Sequence, residues 1–440
     1  MKKFSLLFVF TLLSLQLYAQ NEGKNWYFGG SGAGLDFYSC SDSAFINGNG
    51  LHFFEGSVSM SDEQTGQLLF YSNGKHIFNA NHDTMINGYE AGLSNSITQN
   101  IALKKPGSTH LYYLFTADVQ GGITSNPAYP NAFGINYAEI DMSLAGGLGA
   151  VTSKFNSLKD TSNCEKLTAV QHANGQDIWL IGHEYGYNNF FVYSITANAI
   201  DTTPLIFSTG PVIYTPQPGI QRIANYDAVG ELKASPDGSK LAFTTYYNGI
   251  TALFDFDNAT GSISNPIPLN INDGGYGVSF SPNGTKLYIG AIDTAANFIP
   301  AHGKILQFDL SSGNPTIIQS SKFVVFNLVN CGFSSMKLSI NGTIIVSHYG
   351  NSGQPVGDGH LGKIRYPDSL GNACGYLHNA IHLKGRLSSW GLNNQMENPN
   401  YCIPTATIEN ATLHNSISVF PNPTTGEFMV TYPFLEGEKL

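Results

Sequence analysis

An all-β fold built as a ring of repeated sheets, a β-propeller, is predicted by three features of this 440-residue chain. A unit of about fifty residues recurs along it, the kind of period that radial sheet arrays leave in a sequence. The composition favours turns over charge, with 48 glycines, 12% aromatic residues and only 12% charged residues. No amphipathic helical stretch interrupts the repeats. Disordered chains have the opposite profile, rich in charge and poor in aromatics.

The N-terminus comes first. Lys2 and Lys3 form a positive region, Phe4 to Tyr18 an almost unbroken apolar run, and Ala19 a small residue ahead of Gln20. That order predicts a secretory signal peptide over residues 1–19 and a mature chain starting at Gln20. The alternative is a retained anchor, and Leu17 is large where cleavage prefers a small residue. Against the anchor, the run is shorter than the roughly 20 residues a spanning helix needs. No later segment is long and apolar enough to span, so the mature chain is expected to carry no transmembrane segment.

The repeats occupy the middle of the chain. "GELKASPDGSKLAF" from Gly230 matches "GVSFSPNGTKLYIG" from Gly277, each a strand, a Ser-Pro-Asp/Asn-Gly turn and a second strand. Weaker copies start at Gly56, Gln99, Glu165 and Met336. Pro236 and Pro282 preset φ at the first central turn position, Asp237 and Asn283 tolerate the next, and Gly238 and Gly284 accept positive φ. Each unit therefore reads as an antiparallel sheet of three or four strands. Such a sheet cannot cover both faces alone, but sheets arranged radially cover one another.

Six full units fit between Glu55 and Leu383. Two pieces remain, "KNWYFGGSGAGLDFYS" with "GLHFF" near the start and "GRLSSWGLNNQ" near the end. A closed ring joins them as a seventh blade, the terminal piece inner and the N-terminal piece outer. A six-bladed ring with two loose flanks is the alternative. The propeller is assigned to residues 20–400, a linker to 401–412 and a further small unit to 413–440.

"SPDGSKLAF" and "SPNGTKLYI" resemble the propeller repeats of the YVTN and TolB-like type. "LLFYSNGKHIFNANHDTMINGY" and "EKLTAVQHANGQDIWLI" resemble a group of exported propellers common in Bacteroidetes. The resemblance implies the fold and brings no activity with it. Near the end, Val419-Phe420-Pro421-Asn422-Pro423-Thr424-Thr425-Gly426 resembles the opening of the type IX secretion C-terminal sorting domain. There Pro421, Asn422, Pro423 and Gly426 would shape a turn between two strands of a small β-sandwich. That family continues with further strands, so residues 413–440 are expected to be an incomplete sorting domain. The implied partner is the type IX machinery, and the implied destination is the outer cell surface or the exterior, by way of the periplasm.

Partners and chemistry are narrowed by charge and by motif. The formal charge of -10 becomes -12 when Lys2 and Lys3 leave, which argues against nucleic acid. The five cysteines, Cys40, Cys164, Cys331, Cys374 and Cys402, contain no CxxC, and no metal or other cofactor is expected. Cys374–Cys402 is the shortest loop and the first expectation for a disulfide; several buried free thiols are the alternative. Gly-x-Ser-x-Gly, His-Glu-x-x-His and the P-loop are absent from the sequence, and no catalytic residue is assigned. His183 is expected to lie exposed at a turn. The Asp255–Gly261 stretch spaces oxygen ligands somewhat like a calcium loop but lacks the closing Glu, so a hairpin is expected. Trp26, Tyr246 and Tyr247 suit sugar stacking if exposed, although blade packing is the commoner use of aromatics. Function is expected to be that of a binding module for a glycan or protein ligand. The alternatives are a glycan-active lyase or hydrolase and a structural envelope component.

Overall fold

The computed structural model describes residues 21–38, 40–46, 53, 55–94, 98–117, 134–159, 163–214, 226–292, 302–329, 331–350, 358–397 and 401, with two short strands beyond them. The chain divides into two units, Met1–Cys402 and Ile403–Leu440. The signal segment, residues 402–412 and Pro421, Asn422, Pro423 and Gly426 lie outside the described residues. In the second unit, Ser418–Phe420 pairs antiparallel with Met429–Thr431.

The first unit is a seven-bladed β-propeller made of two three-stranded and five four-stranded sheets. Blade one holds β1 (Asn25–Phe28), β2 (Ala33–Asp36) and β3 (Ser43–Ile46). Blade two holds β4 (Val58–Ser61), β5 (Leu68–Ser72) and β6 (Ile77–Asn79). Blade three runs from β7 (Asn100–Lys104) through β8 (Leu111–Thr116) and β9 (Ile135–Asp141) to β10 (Ala150–Lys159). Blade four comprises β11 (Asn163–Gln171), β12 (Ile178–Glu184), β13 (Asn189–Ile195) and β14 (Leu205–Ser208). Blade five comprises β15 (Leu232–Ala234), β16 (Lys240–Phe243), β17 (Ala252–Asp257) and β18 (Ser262–Pro268). In blade six are β19 (Gly274–Phe280), β20 (Lys286–Ile292), β21 (His302–Asp309) and β22 (Phe323–Val329). Blade seven holds β23 (Cys331–Leu338), β24 (Ile344–Gly350), β25 (His360–Ile364) and β26 (Tyr376–His382). One six-residue α-helix, Pro315–Ser320, links β21 to β22.

Adjacent blades share apolar clusters, and the ring closes because the last sheet packs on the first. Ile345, Leu361 and Ile381 of blade seven bury against Trp26, Phe28 and Leu35 of blade one. Middle strands such as β20 are therefore buried along their whole length, since each face meets a neighbouring sheet.

The terminal piece takes the inner position of blade one. Leu387 N–H donates to Ser31 Oγ at 2.9 Å and Gln395 Nε2 to the Glu22 carbonyl at 3.1 Å, so it runs antiparallel to β1. On its other side Asn393 bridges Ser57 in parallel, and Asn394 N–H donates to the Ser57 carbonyl at 2.8 Å. It makes no regular ladder with β1; side chains and single backbone bonds hold it instead.

Candidate functional site at the propeller axis

Inner strands point their apolar side chains at neighbouring blades and their polar ones at the axis. The polar residues form three layers along it. Where the inner strands begin, Glu55, Glu165 and Glu231 gather beside Tyr276 and Trp390. Glu165 accepts from both the amide and the hydroxyl of Thr98 at 2.8 Å each. The Glu55 carboxyl hydrogen-bonds to Glu165, and burial followed by the Glu165 charge pushes it well above the ordinary range. Two carboxyls in contact away from water share a proton. Burial also raises Glu231, whose oxygens accept from Val278 N–H at 3.0 Å and from the Ser335 hydroxyl. Nearby, Lys166 donates to the carbonyls of Ala228 at 2.9 Å and Val229 at 3.0 Å. Tyr246 and Tyr276 stand against Trp390 at ring distances of 5.6 and 5.4 Å.

The middle layer is organised by Asn394. Its amide donates to the carbonyls of Asn100 at 3.0 Å and Leu167 at 3.2 Å, and its oxygen accepts from Lys233 Nζ at 2.8 Å. One side chain thus ties blade one to blades three, four and five.

Where the inner strands end, the axis opens into a cavity of about 440 Å³. Glu22, Glu63, Lys104, Gln171, Gln176, Lys337, Gln395 and Glu397 supply its polar wall, and Met60 and Ile178 an apolar part. Lys104 pairs with Glu63 at 2.7 Å and Lys337 with Glu397 at 2.8 Å, the latter pair buried. Burial, then the Glu63 charge, raises the Glu22 carboxyl to about 7. A second cavity of about 410 Å³ borders the first through Gln171, Met396 and Glu397.

The repeat turns lie on this same face. Pro236, Asp237 and Gly238 line the second cavity. Asp237 caps its turn by accepting from Ser235 and Ser239, and Gly238 has φ +67°. At the matching turn, Pro282 receives a 3.5 Å contact from the Tyr401 hydroxyl, Asn283 caps Thr285, and Gly284 has φ +70°.

Several sequence expectations change. Cys374 is free and buried, as are Cys164 and Cys331, so it forms no disulfide with Cys402. Cys40 is disulfide-bonded, and Cys402 lies outside the described residues. Cys374 packs instead into the apolar cluster of blades six and seven with Tyr288, Phe333 and Ile364. His183 is not an exposed turn residue: it is fully buried in β12. There Nδ1 lies 2.8 Å from the Glu184 carbonyl, and burial lowers its pKa to about 3. Trp26 and Tyr246 are buried in blade packing, Trp26 at the wall of the first cavity. In the Asp255–Gly261 stretch, Asp257 caps Ala259 and Thr260 and Asp255 pairs with Lys240 and Asn265, which is hairpin chemistry.

The axial carboxyls and the cavity wall escaped sequence reading. A polar residue in every second position of a strand looks like a solvent face, and only the ring turns that face inward. Among the described residues, the metal-capable cluster of three side chains is Cys331, His348 and His378. No described helix is long and apolar enough to cross a membrane.

The fold and its axis define a seven-bladed propeller, tied across its middle and open to a polar cavity at the ends of its inner strands. No protein-family model matches the sequence, and no curated protein matches it. Solved structures are similar in fold. A putative 6-phosphogluconolactonase from Bacteroides uniformis has TM-score 0.44 at 11% identity, with 82% of this chain and 97% of that one covered. The Cps50 (Swd1) β-propeller domain of Myceliophteria thermophila has TM-score 0.41 at 11% identity, over 75% and 91%. A putative TolB from Agrobacterium tumefaciens has TM-score 0.37 at 12% identity, over 68% and 85%. At this distance the likeness concerns fold alone.

Proposed function

We propose that this propeller is a binding module for a polar, sugar-sized ligand at the mouth where its inner strands end. The observation that carries the reading is the 440 Å³ cavity, of a size for a small ligand. Its amides Gln171, Gln176 and Gln395 and its carboxylates offer donors and acceptors that suit hydroxyl groups, while Met60 and Ile178 give an apolar patch for a ring face. The test is a glycan and peptide array probed with the mature chain. Selective capture of one glycan family supports the reading; silence on glycans with selective peptide capture replaces it with a protein ligand.

The buried Glu55–Glu165 pair favours a second reading, a glycan-active enzyme using two carboxyls. Binding ranks first because Glu165 is fully buried, with its contacts supplied by the chain itself. Turnover of a polysaccharide panel, abolished by Glu165→Gln in a folded protein, would reverse that order.

Export belongs to the same proposal. Lys2 to Ala19 supports entry to the periplasm, and the Pro421–Gly426 motif supports handling by type IX machinery. Fractionation of a type IX-competent host tests it. We expect machinery-dependent release to depend on the motif, so that replacing Pro421, Asn422, Pro423 and Gly426 holds the protein in the periplasm. Release that is unchanged by that replacement, or that does not need the machinery, would refute it.

A further inference from the structure

We propose that blade seven holds a mononuclear zinc-type metal site formed by Cys331, His348 and His378, with Asp358 as the fourth ligand. One ligand atom from each of the first three lies within 4.8 Å of the others. Zinc bonds of about 2.0–2.3 Å put tetrahedral ligand atoms roughly 3.5 Å apart, so these three atoms draw together and Asp358 turns toward them when an ion binds. Asp358 Oδ2 and His348 Nδ1 already stand 3.6 Å apart.

The hydrogen-bond pattern around His348 carries the argument. Its Nε2 lies 3.2 Å from the His378 carbonyl, which can only accept, so Nε2 bears the proton. In the neutral ring the other nitrogen, Nδ1, is then unprotonated. That Nδ1 is buried with no hydrogen-bond partner, and it faces a carboxylate oxygen. The Nδ1 lone pair of the buried ring and the half-exposed carboxylate repel, and a cation between them converts the clash into coordination. Outer partners are in place. His378 Nδ1 sits 3.1 Å from the Tyr376 hydroxyl, which leaves Nε2 for a metal, and His360 Nδ1 lies 3.3 Å from the other Asp358 oxygen.

The fold explains how the ligands meet. Phe333 pairs with His348 across β23 and β24, so Cys331, two residues along, lies on the same face. Gly362 in β25 leaves room for the Tyr376 ring, which steadies His378. A register shift between Leu361 and Lys363 adjusts β26, and the His378 ring stacks on His348 at 4.3 Å. The buried Cys331 thiol becomes a thiolate ligand when a cation stabilises it. Sulfur, imidazole and carboxylate together suit zinc.

The test uses the full mature chain, stripped with chelator and titrated with Zn²⁺ against a chromophoric competitor, then with Co²⁺ as a spectroscopic probe. We expect one equivalent of Zn²⁺, a thiolate-to-cobalt charge-transfer band and tetrahedral d–d bands. Cys331→Ser should remove the charge-transfer band, and His378→Gln should weaken Zn²⁺ about tenfold or more. Asp358→Asn, at a half-exposed position that need not disturb packing, should weaken Zn²⁺ while melting like the wild type without metal. Absence of stoichiometric binding by the folded wild type, Co²⁺ bound without the thiolate band, or affinity unchanged in Asp358→Asn and His378→Gln would overturn the assignment.

Discussion

Glu22 makes the cavity wall sensitive to pH, and replacing it with Gln measures by how much. The residue lies in a short 3-10 turn, Asn21–Gly23, at the cavity. Burial raises its carboxyl from 4.5 to about 7, helped by Glu63 and opposed by Lys104. A raised acid favours its protonated form in the fold. Its stabilising effect is therefore complete below pH 4.5 and is lost as pH climbs through 7. Between pH 5 and 8 the two titration curves diverge by about 1.8 log units, or about 2.5 kcal/mol at 1.36 kcal/mol per unit. Glu22 is partly open to the cavity, so screening reduces the expected change to about 1–2.5 kcal/mol. The assay is urea unfolding of wild type and Glu22→Gln at intervals across this range. Glutamine keeps the shape and cannot ionise, so the variant's relative stability should climb by that amount as pH rises. A flat difference, or one that falls with pH, would refute the reasoning and mean that Lys104 holds Glu22 ionised in the fold.

Two further perturbations test the frame around the cavity. Asn394→Ala removes the bonds to blades three, four and five and leaves Lys233 buried without its acceptor; we expect a loss of about 3 kcal/mol or more by denaturant melt, partly recovered when Lys233→Met is added. Gly238→Val should cost more than about 1 kcal/mol from its left-handed φ alone. It should cost more than Gly284→Val, because a Cβ at 238 would lie 2.8 Å from Val170 Cγ1 while at 284 the nearest atom is 3.9 Å away. Equal thermal shifts for the two would remove the packing part of that claim.

The ring was legible in the sequence because its cues are local. Pro236-Asp237-Gly238 and Pro282-Asn283-Gly284 punctuate strands of the right length, and the leftover pieces around Trp26 and Trp390 pointed to a shared blade. What the sequence hid is what the ring creates. Glu165, Lys233 and Lys337 occupy ordinary polar strand positions and Glu231 directly precedes β15, and only closure turns them toward one axis. Cys331, His348 and His378 are 17 and 30 residues apart, spacings that match no short ligand motif; strand register brings them together. His183 was misplaced because Gly182 and Glu184 beside it suggest a turn, whereas β12 continues through it and buries it against Phe190 and Phe243.

The central claim is that the mouth binds a polar, sugar-sized ligand, and a rim substitution tests it most directly. Gln176 is exposed on that rim and away from the blade cores. Calorimetric titration of the strongest array hit into wild type and Gln176→Trp isolates the cavity, because the indole fills the entrance and leaves the core intact. The account predicts binding at one site per chain, weakened about tenfold or more in Gln176→Trp, with unchanged melting of the free proteins. Equal affinity in the two proteins would contradict it and move the ligand away from the axis.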